Sequence, residues 1–243
     1  MHLKVATQLD IAPTIAKIYN LSFACEGRVL EDIVKKYKGS NIVLAIIDSL
    51  GFKEYKMLIG ELIRSAAVLR RSIIYKCRVF SKRTTPSIAT ILCGLKPDTH
   101  KICTTGDVFN SSVQCLPEYL SENGIRSAVV MEETGALSFL NKVDAIVPIQ
   151  NRDNILEFDD ESLEAVLRLL KEGTIDFIVS HFRALDKYGY SDQIVVHLDN
   201  IIYQILSNMS QKWVLALCGD HPPHMSKQKY VPLLFSSAAI CCR

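Results

Sequence analysis

The chain has 243 residues, 49% of them apolar and 22% charged, and a formal net charge of +2. These values suit a soluble globular protein with one large core, or two small ones, and the near balance of charge excludes a nucleic-acid-coating surface or a polybasic membrane anchor. No apolar stretch approaches the roughly 20 residues that cross a bilayer, and Met1-His2-Leu3-Lys4 opens no export-signal pattern, so a cytoplasmic location without membrane attachment is expected.

In chain order, apolar positions at three- and four-residue spacing predict short helices over 9–20 and 28–37. Lys38-Gly39-Ser40 breaks that pattern, and the apolar run from Asn41 to Ile47 predicts a buried strand ending at Asp48. A helix is expected over 52–65, a strand over 72–80, and a helix starting near Pro86, a residue suited to a first turn. Further on come a helix over 115–123, strands over 127–131 and 143–148, a helix over 159–171, and a strand over 175–180. A long helix over 191–209 and strands over 212–218 and 231–235 close the chain. Alternating strands and helices predict an α/β fold, a three-layer α/β/α sandwich with a mostly parallel central sheet. With no repeat or linker in the sequence, residues 1–243 are read as a single domain with a helical N-terminal extension over 1–40.

The eight cysteines form no C-x-x-C pair, and Cys77, Cys93 and Cys218 lie in apolar runs where a thiol acts as a small hydrophobe. Free thiols are therefore expected rather than disulfides. The apolar tail from Ser236 to Arg243, with adjacent Cys241 and Cys242, is read as a final strand or as a contact in a homo-oligomer.

Three segments carry chemistry. Asp48 follows the 41–47 strand, Asp220-His221 follows the run from Trp213 to Gly219, and Thr84-Thr85-Pro86-Ser87 opens a helix. An apolar parallel strand ending in an acid delivers that acid to the carboxyl edge of a sheet, where open α/β sheets bind ligands. Two such strands and one hydroxyl-bearing turn could surround a single metal ion with Asp48, Asp220, His221 and a threonine oxygen. Each residue alone has a plainer role, a helix cap for Asp48 or Thr84 and a surface turn for Asp220-His221. Their occurrence together points instead to a metal-dependent enzyme with a threonine nucleophile.

The run from Thr84 to Ile102 resembles the nucleophile region of the alkaline phosphatase superfamily, and is closest in motif to nucleotide pyrophosphatases/phosphodiesterases. Their pattern T-x-P-x-x-x-T-x-x-x-G-x-x-P-x-x-H-G-I is kept here except for Lys101 in place of the second glycine. The resemblance covers roughly 41–235 in the family's order, but lacks its large cap insertions, which implies a minimal fold with an open site. It implies that Thr84 is the nucleophile and that two divalent metal ions are bound, zinc by ligand type, with manganese also suitable. The first would be held by Asp48, Asp220, His221 and Thr84. The second would be held by Asp186 and His224, with His181 as a weaker candidate and Tyr190 standing where the family has a histidine. His100 would be structural. Thr105 and Arg83 are weaker substrate-binding candidates, and Arg183 is read as a sheet-edge cation paired to an acid.

The implied activity is hydrolysis of a small-molecule phosphate ester, a phosphodiester or nucleotide-type substrate, through a phospho-threonine intermediate. Two alternatives stand beside it: a degenerate one-metal or metal-free relative that only binds a phosphorylated ligand, and a phosphomutase or phosphotransferase.

Overall fold

A computed structural model describes residues 3–238. Its eight strands are β1 (Lys4–Thr7), β2 (Asn41–Ile47), β3 (Ile73–Arg78), β4 (Ser127–Glu132), β5 (Ala145–Ile149), β6 (Phe177–Phe182), β7 (Trp213–Gly219) and β8 (Tyr230–Ser237). They form one sheet in the order β1-β3-β8-β7-β2-β6-β4-β5. Neighbours pair in parallel except at β8, which runs antiparallel to both β3 and β7. The expected α/β sandwich with a mostly parallel sheet is what the structure shows.

The helices are α1 (Ile11–Ile18), α2 (Glu31–Tyr37), α3 (Phe52–Glu61), α4 (Ala66–Leu69), α5 (Thr84–Cys93), α6 (Pro97–His100), α7 (Thr105–Val108), α8 (Leu116–Glu122), α9 (Glu133–Leu137), α10 (Ile155–Glu172), α11 (Ala184–Tyr188) and α12 (Asp192–Asn208). They cover both faces of the sheet, and β2 shows how. All seven of its residues are buried. Val43, Ala45 and Ile47 face the core shared with α3, α10 and α12, while Ile42, Leu44 and Ile46 face the core shared with α1, α2, α5 and α8. Side chains alternate across a strand, so a strand buried on both faces must be apolar throughout. Among the described residues, no helix is long and apolar enough to cross a membrane.

Several expectations shift. The stretch 1–40, read as helical, also contributes edge strand β1, which pairs with β3. Its helices α1 and α2 bury Ile11, Ile15, Ile18 and Ile33 completely in the core. The helix predicted over 52–65 stops at Glu61 because the loop behind it is gripped by Asp199. That carboxylate accepts hydrogen bonds from the N–H groups of Ile63 (2.9 Å), Arg64 (2.8 Å) and Ser65 (2.9 Å), and from Ser65 Oγ (2.6 Å). Helix α10 starts at Ile155 rather than 159, where Asn154 caps it by accepting from the Leu156 N–H. Cys25, Cys77, Cys93, Cys103, Cys115 and Cys218 are free. Cys241, Cys242 and most of the tail proposed as a contact lie outside the described residues.

Candidate metal centre

Strands β2 and β7 are hydrogen-bonded neighbours in register, Ile47 beside Gly219. The residues that follow them, Asp48 and Asp220, therefore emerge side by side at the carboxyl edge. The turn after β2 is tight. The Asp48 N–H donates to Phe182 O of β6 (2.9 Å), Ser49 takes a left-handed conformation (φ 59°), and its N–H donates to Asp220 Oδ1 (3.0 Å). Gly219 permits this, since a Cβ there would lie 2.1 Å from the Leu50 carbonyl oxygen.

The imidazole of His221 is fully buried between the acids. Its Nε2 lies 3.2 Å from Asp48 Oδ1, 3.5 Å from Asp220 Oδ2 and 3.2 Å from Thr84 Oγ1. Its Nδ1 donates to the Pro222 carbonyl (2.9 Å), so in the neutral ring the Nε2 lone pair faces the carboxylates and the threonine. Thr84 is the first residue of α5, where first-turn N–H groups lack helical partners and favour an anion. Pro86 has no N–H to leave unpaired.

The charges in this cluster are unbalanced. Burial raises the Asp48 carboxyl, but His221 and His181 beside it outweigh burial and hold it below the usual range. Asp220 is pushed well above that range by burial and by the neighbouring Asp48. Burial lowers His221, yet the adjacent Asp48 carboxylate and the charge of Asp220 bring it up to about 9. Asp48 Oδ1, Asp220 Oδ2 and His181 Nε2 are buried without a hydrogen-bond partner. Buried polar atoms of this kind demand one. A divalent cation would satisfy the two carboxylate oxygens and take the place of the proton on His221, so the residues present fit a metal ion.

Two groups of donors converge, Asp48–Asp220–His221 and Asp186–His221–His224, with the ligand atoms of each group within 4.8 Å of one another. In the second group His224 Nε2 lies 3.2 Å from Asp186 Oδ1, and the rings of His221 and His224 are 4.7 Å apart. Ser49 Oγ ties the groups together by donating to Asp186 Oδ1 (2.5 Å) and lying 3.4 Å from His221 Nδ1.

The structure thus brings together Asp48, Thr84, Asp186, Asp220, His221 and His224. His181 lies at the first group, 3.6 Å from Asp48 Oδ2, rather than beside Asp186 and His224 as expected. Tyr190 packs its ring against the core, and burial first, then the Glu61 carboxylate, push its hydroxyl's pKa up to about 12, so the phenol stays neutral. Arg83 is exposed and lines a shallow hollow with His224, whereas Thr105 pairs with Thr85 (Oγ1 to Oγ1, 3.4 Å) inside the main cavity. Arg183 bonds Asn151 Oδ1 (2.5 Å) rather than an acid, and its guanidinium stacks over Phe158. His100 is buried between Thr90 Oγ1 and the Ile102 N–H, a structural role.

Sequence reasoning missed four contributors. Gln8 donates to the Asp220 carbonyl, Ser49 bridges the two groups, and Asn151 positions Arg183. Asp159, fully buried, accepts from the N–H groups of Arg183 (2.6 Å) and Ala184 (3.1 Å) and so fixes the start of α11, which carries Asp186. Only Asp159 left a trace in sequence, as an acid on the buried face of an amphipathic helix.

Beside Thr84, Asp48 and Asp186 a cavity of about 410 Å³ opens between α5, α7 and α9.

A buried Asp/Asp/His cluster at the carboxyl edge of a mostly parallel sheet, with a helix-start threonine over it, defines a metalloenzyme-type site of the alkaline phosphatase superfamily. The family model described as Sulfatase matches residues 40–233, and the chain belongs to that family. Solved structures share the fold at low identity. Phosphonoacetate hydrolase from Sinorhizobium meliloti 1021, in complex with phosphonoacetate, superposes with a TM-score of 0.65 at 12% identity, over 83% of this chain and 60% of that one. A protein in the alkaline phosphatase superfamily from Vibrio parahaemolyticus gives 0.58 at 14%, with the same coverages. The C-terminal periplasmic domain of EcEptC from Escherichia coli, in complex with Zn, gives 0.56 at 12%, over 82% of this chain and 73% of that one. The chain thus spans about 60% of the length of the first two. No curated protein sequence matches it significantly.

Proposed function

We propose that this chain hydrolyses a small-molecule phosphate ester, with a diester favoured, and that Thr84 is the nucleophile. One observation carries the reading: Thr84 Oγ1 stands at the first residue of α5, 3.2 Å from His221 Nε2, over two buried carboxylates whose free oxygens lack partners.

Asp48, Asp220 and His221 would hold one divalent ion beside Thr84, and Asp186 and His224 a second, zinc or manganese by donor type. Such ions acidify a neighbouring hydroxyl and neutralise charge on phosphoryl oxygens. Thr84 Oγ attacks phosphorus, the bond to the leaving oxygen breaks, and the threonine proton ends on the departing alcohol. Water then cleaves the phospho-threonine ester and releases phosphate or a phosphomonoester. The α5 N-terminus favours the phosphoryl oxygens, and Arg183, held by Asn151, lines the same cavity as a cation for them. The Zn complex of one structural relative and the phosphonate ligand of another support this chemistry. We also propose a cytoplasmic setting, which suits the six cysteines that are free among the described residues.

The test is Thr84→Ala. Turnover of 4-nitrophenyl phosphate mono- and diesters with added zinc or manganese falls at least about a thousandfold while bound metal, measured by plasma emission, is retained. Unchanged turnover would sink the assignment.

A second reading, a relative that only binds, draws on the sparse second group: His224 is exposed, and a tyrosine stands at position 190 where the family has a histidine. Two bound ions with turnover decide for the hydrolase. One ion or none, with no turnover under any metal, decides for the binder.

A further inference from the structure

The lining of the cavity beside Thr84 includes a charged set and a large apolar set. The charged side chains that line it are Asp48, Glu132, Arg183 and Asp186, and they belong to the carboxyl ends of β2, β4 and β6 and to α11. The large apolar side chains in the lining are Ile88, Leu92, Ile102, Val108, Met131 and Phe139. On α5 the residues Thr84, Ile88 and Leu92 follow at intervals of four, which places them on one helix face. The stripe that presents the Thr84 hydroxyl therefore continues along α5 as an aliphatic wall.

The hydroxyls of Thr85, Thr105, Thr134 and Ser138, which line the same cavity, are already engaged. Ser138 Oγ donates to Gly135 O (2.6 Å), Thr134 Oγ1 to Glu132 Oε1 (3.2 Å), and Thr85 and Thr105 pair with each other. The Cys115 thiol is buried, and its pKa is pushed well up by the adjacent Cys93 and by burial, so it stays uncharged. A nucleobase would find few donors or acceptors here and would lose its own hydrogen bonds to water. At about 410 Å³ the cavity lies within the range of small-molecule sites, roughly 300–1,000 Å³.

We infer that the substrate carries a compact apolar substituent, an alkyl chain or a small aryl ring, which seats against Ile88, Leu92 and Phe139 while its phosphoryl group meets Thr84. This rests on the phosphoester reading and narrows it: simple alkyl or aryl phosphoesters are preferred over nucleotides.

The experiment is calorimetric titration of the zinc-loaded full chain with n-alkylphosphonates from methyl to hexyl, and with a nucleoside 5′-monophosphate. Burying one methylene tightens binding about fourfold, so butyl should bind about 60-fold more tightly than methyl. The nucleotide should bind no more tightly than methylphosphonate. Filling the apolar wall by Ile88→Trp, or by Val108→Trp if the first variant does not fold, should bring the butyl-to-methyl ratio to within about twofold of one. Affinity independent of chain length, a ratio unaffected by the tryptophan, absence of phosphonate binding at every length, or tight nucleotide binding would each overturn the inference. The same series, as alkyl 4-nitrophenyl phosphates, separates this idea from the one beneath it. Length-dependent binding without turnover refutes the hydrolase reading alone, and turnover with length-independent binding refutes the apolar seat alone.

Discussion

Gly219→Ala tests whether the metal centre depends on the contact between the end of β7 and the turn after β2. The added Cβ would lie 2.1 Å from Leu50 O, 3.0 Å from Leu50 C and 3.1 Å from Val231 Cβ. Non-bonded carbon and oxygen atoms do not approach below about 3 Å, and the obstruction is backbone, so the strand end and the turn must separate by about 1 Å. That turn carries Asp48 and Ser49, and β7 leads directly into Asp220. Overpacking of this kind costs about 1–3 kcal/mol of stability. A displacement of about 1 Å between groups that must converge costs roughly a hundredfold in rate. Zinc affinity, measured by competition with a chromophoric chelator, should fall about 10–100-fold, a range typical for a disturbed ligand shell. Hydrolysis should fall at least as far, and thermal unfolding should shift down by a few degrees. A Gly219→Ala protein with wild-type zinc affinity and turnover would refute the claim that this close approach sets the ligand geometry.

Two further predictions concern the frame around the site. Asp199→Ala removes the acceptor of four hydrogen bonds from residues 63–65, and hydrogen bonds to a charged group are the stronger kind, so the loss should be about 3 kcal/mol, or about 6–12 °C in Tm, with metal content unchanged. A shift under about 1 °C would mean that the loop is held by other contacts. Arg126 binds Asp176 with two hydrogen bonds (Nε to Oδ2 2.9 Å, Nη2 to Oδ1 3.1 Å) and, against the opposing effect of burial, lowers its carboxyl pKa. The sign follows from linkage: the unfolded carboxyl binds protons more readily, so this contribution is complete above pH about 4 and fades as pH falls through the lower folded value. Chemical denaturation of wild type and Asp176→Asn should show a stability gap that closes over that acidic window, and a gap constant down to pH 2 would be the contrary result.

The sequence by itself determined much of the frame and the order of the chemistry. Runs such as Asn41–Ile47 and Trp213–Gly219 are apolar without alternation, which marks strands buried on both faces, and each ends in an acid. Thr84-Thr85-Pro86 marks a helix start from neighbours within one turn. Signals of this kind are local, set by periodicity and capping over a few residues, and so can be read along the chain.

What tertiary structure decided depends on pairs far apart in sequence. That β8 inserts antiparallel between β3 and β7, and that β1 forms the sheet edge, follows from partner choice rather than from any property of the strand itself. The carbonyl of Leu50 gives Gly219 its meaning, and Asp220 and Asp186 give Ser49 its own, across more than 130 residues. Tyr190 aligned with a ligand position, yet its surroundings turn the hydroxyl toward Glu61. The cavity is lined from α5, α7, β4 and the turn after α9, by Ile88, Val108, Met131 and Phe139 among others, and none of these segments encloses a space by itself.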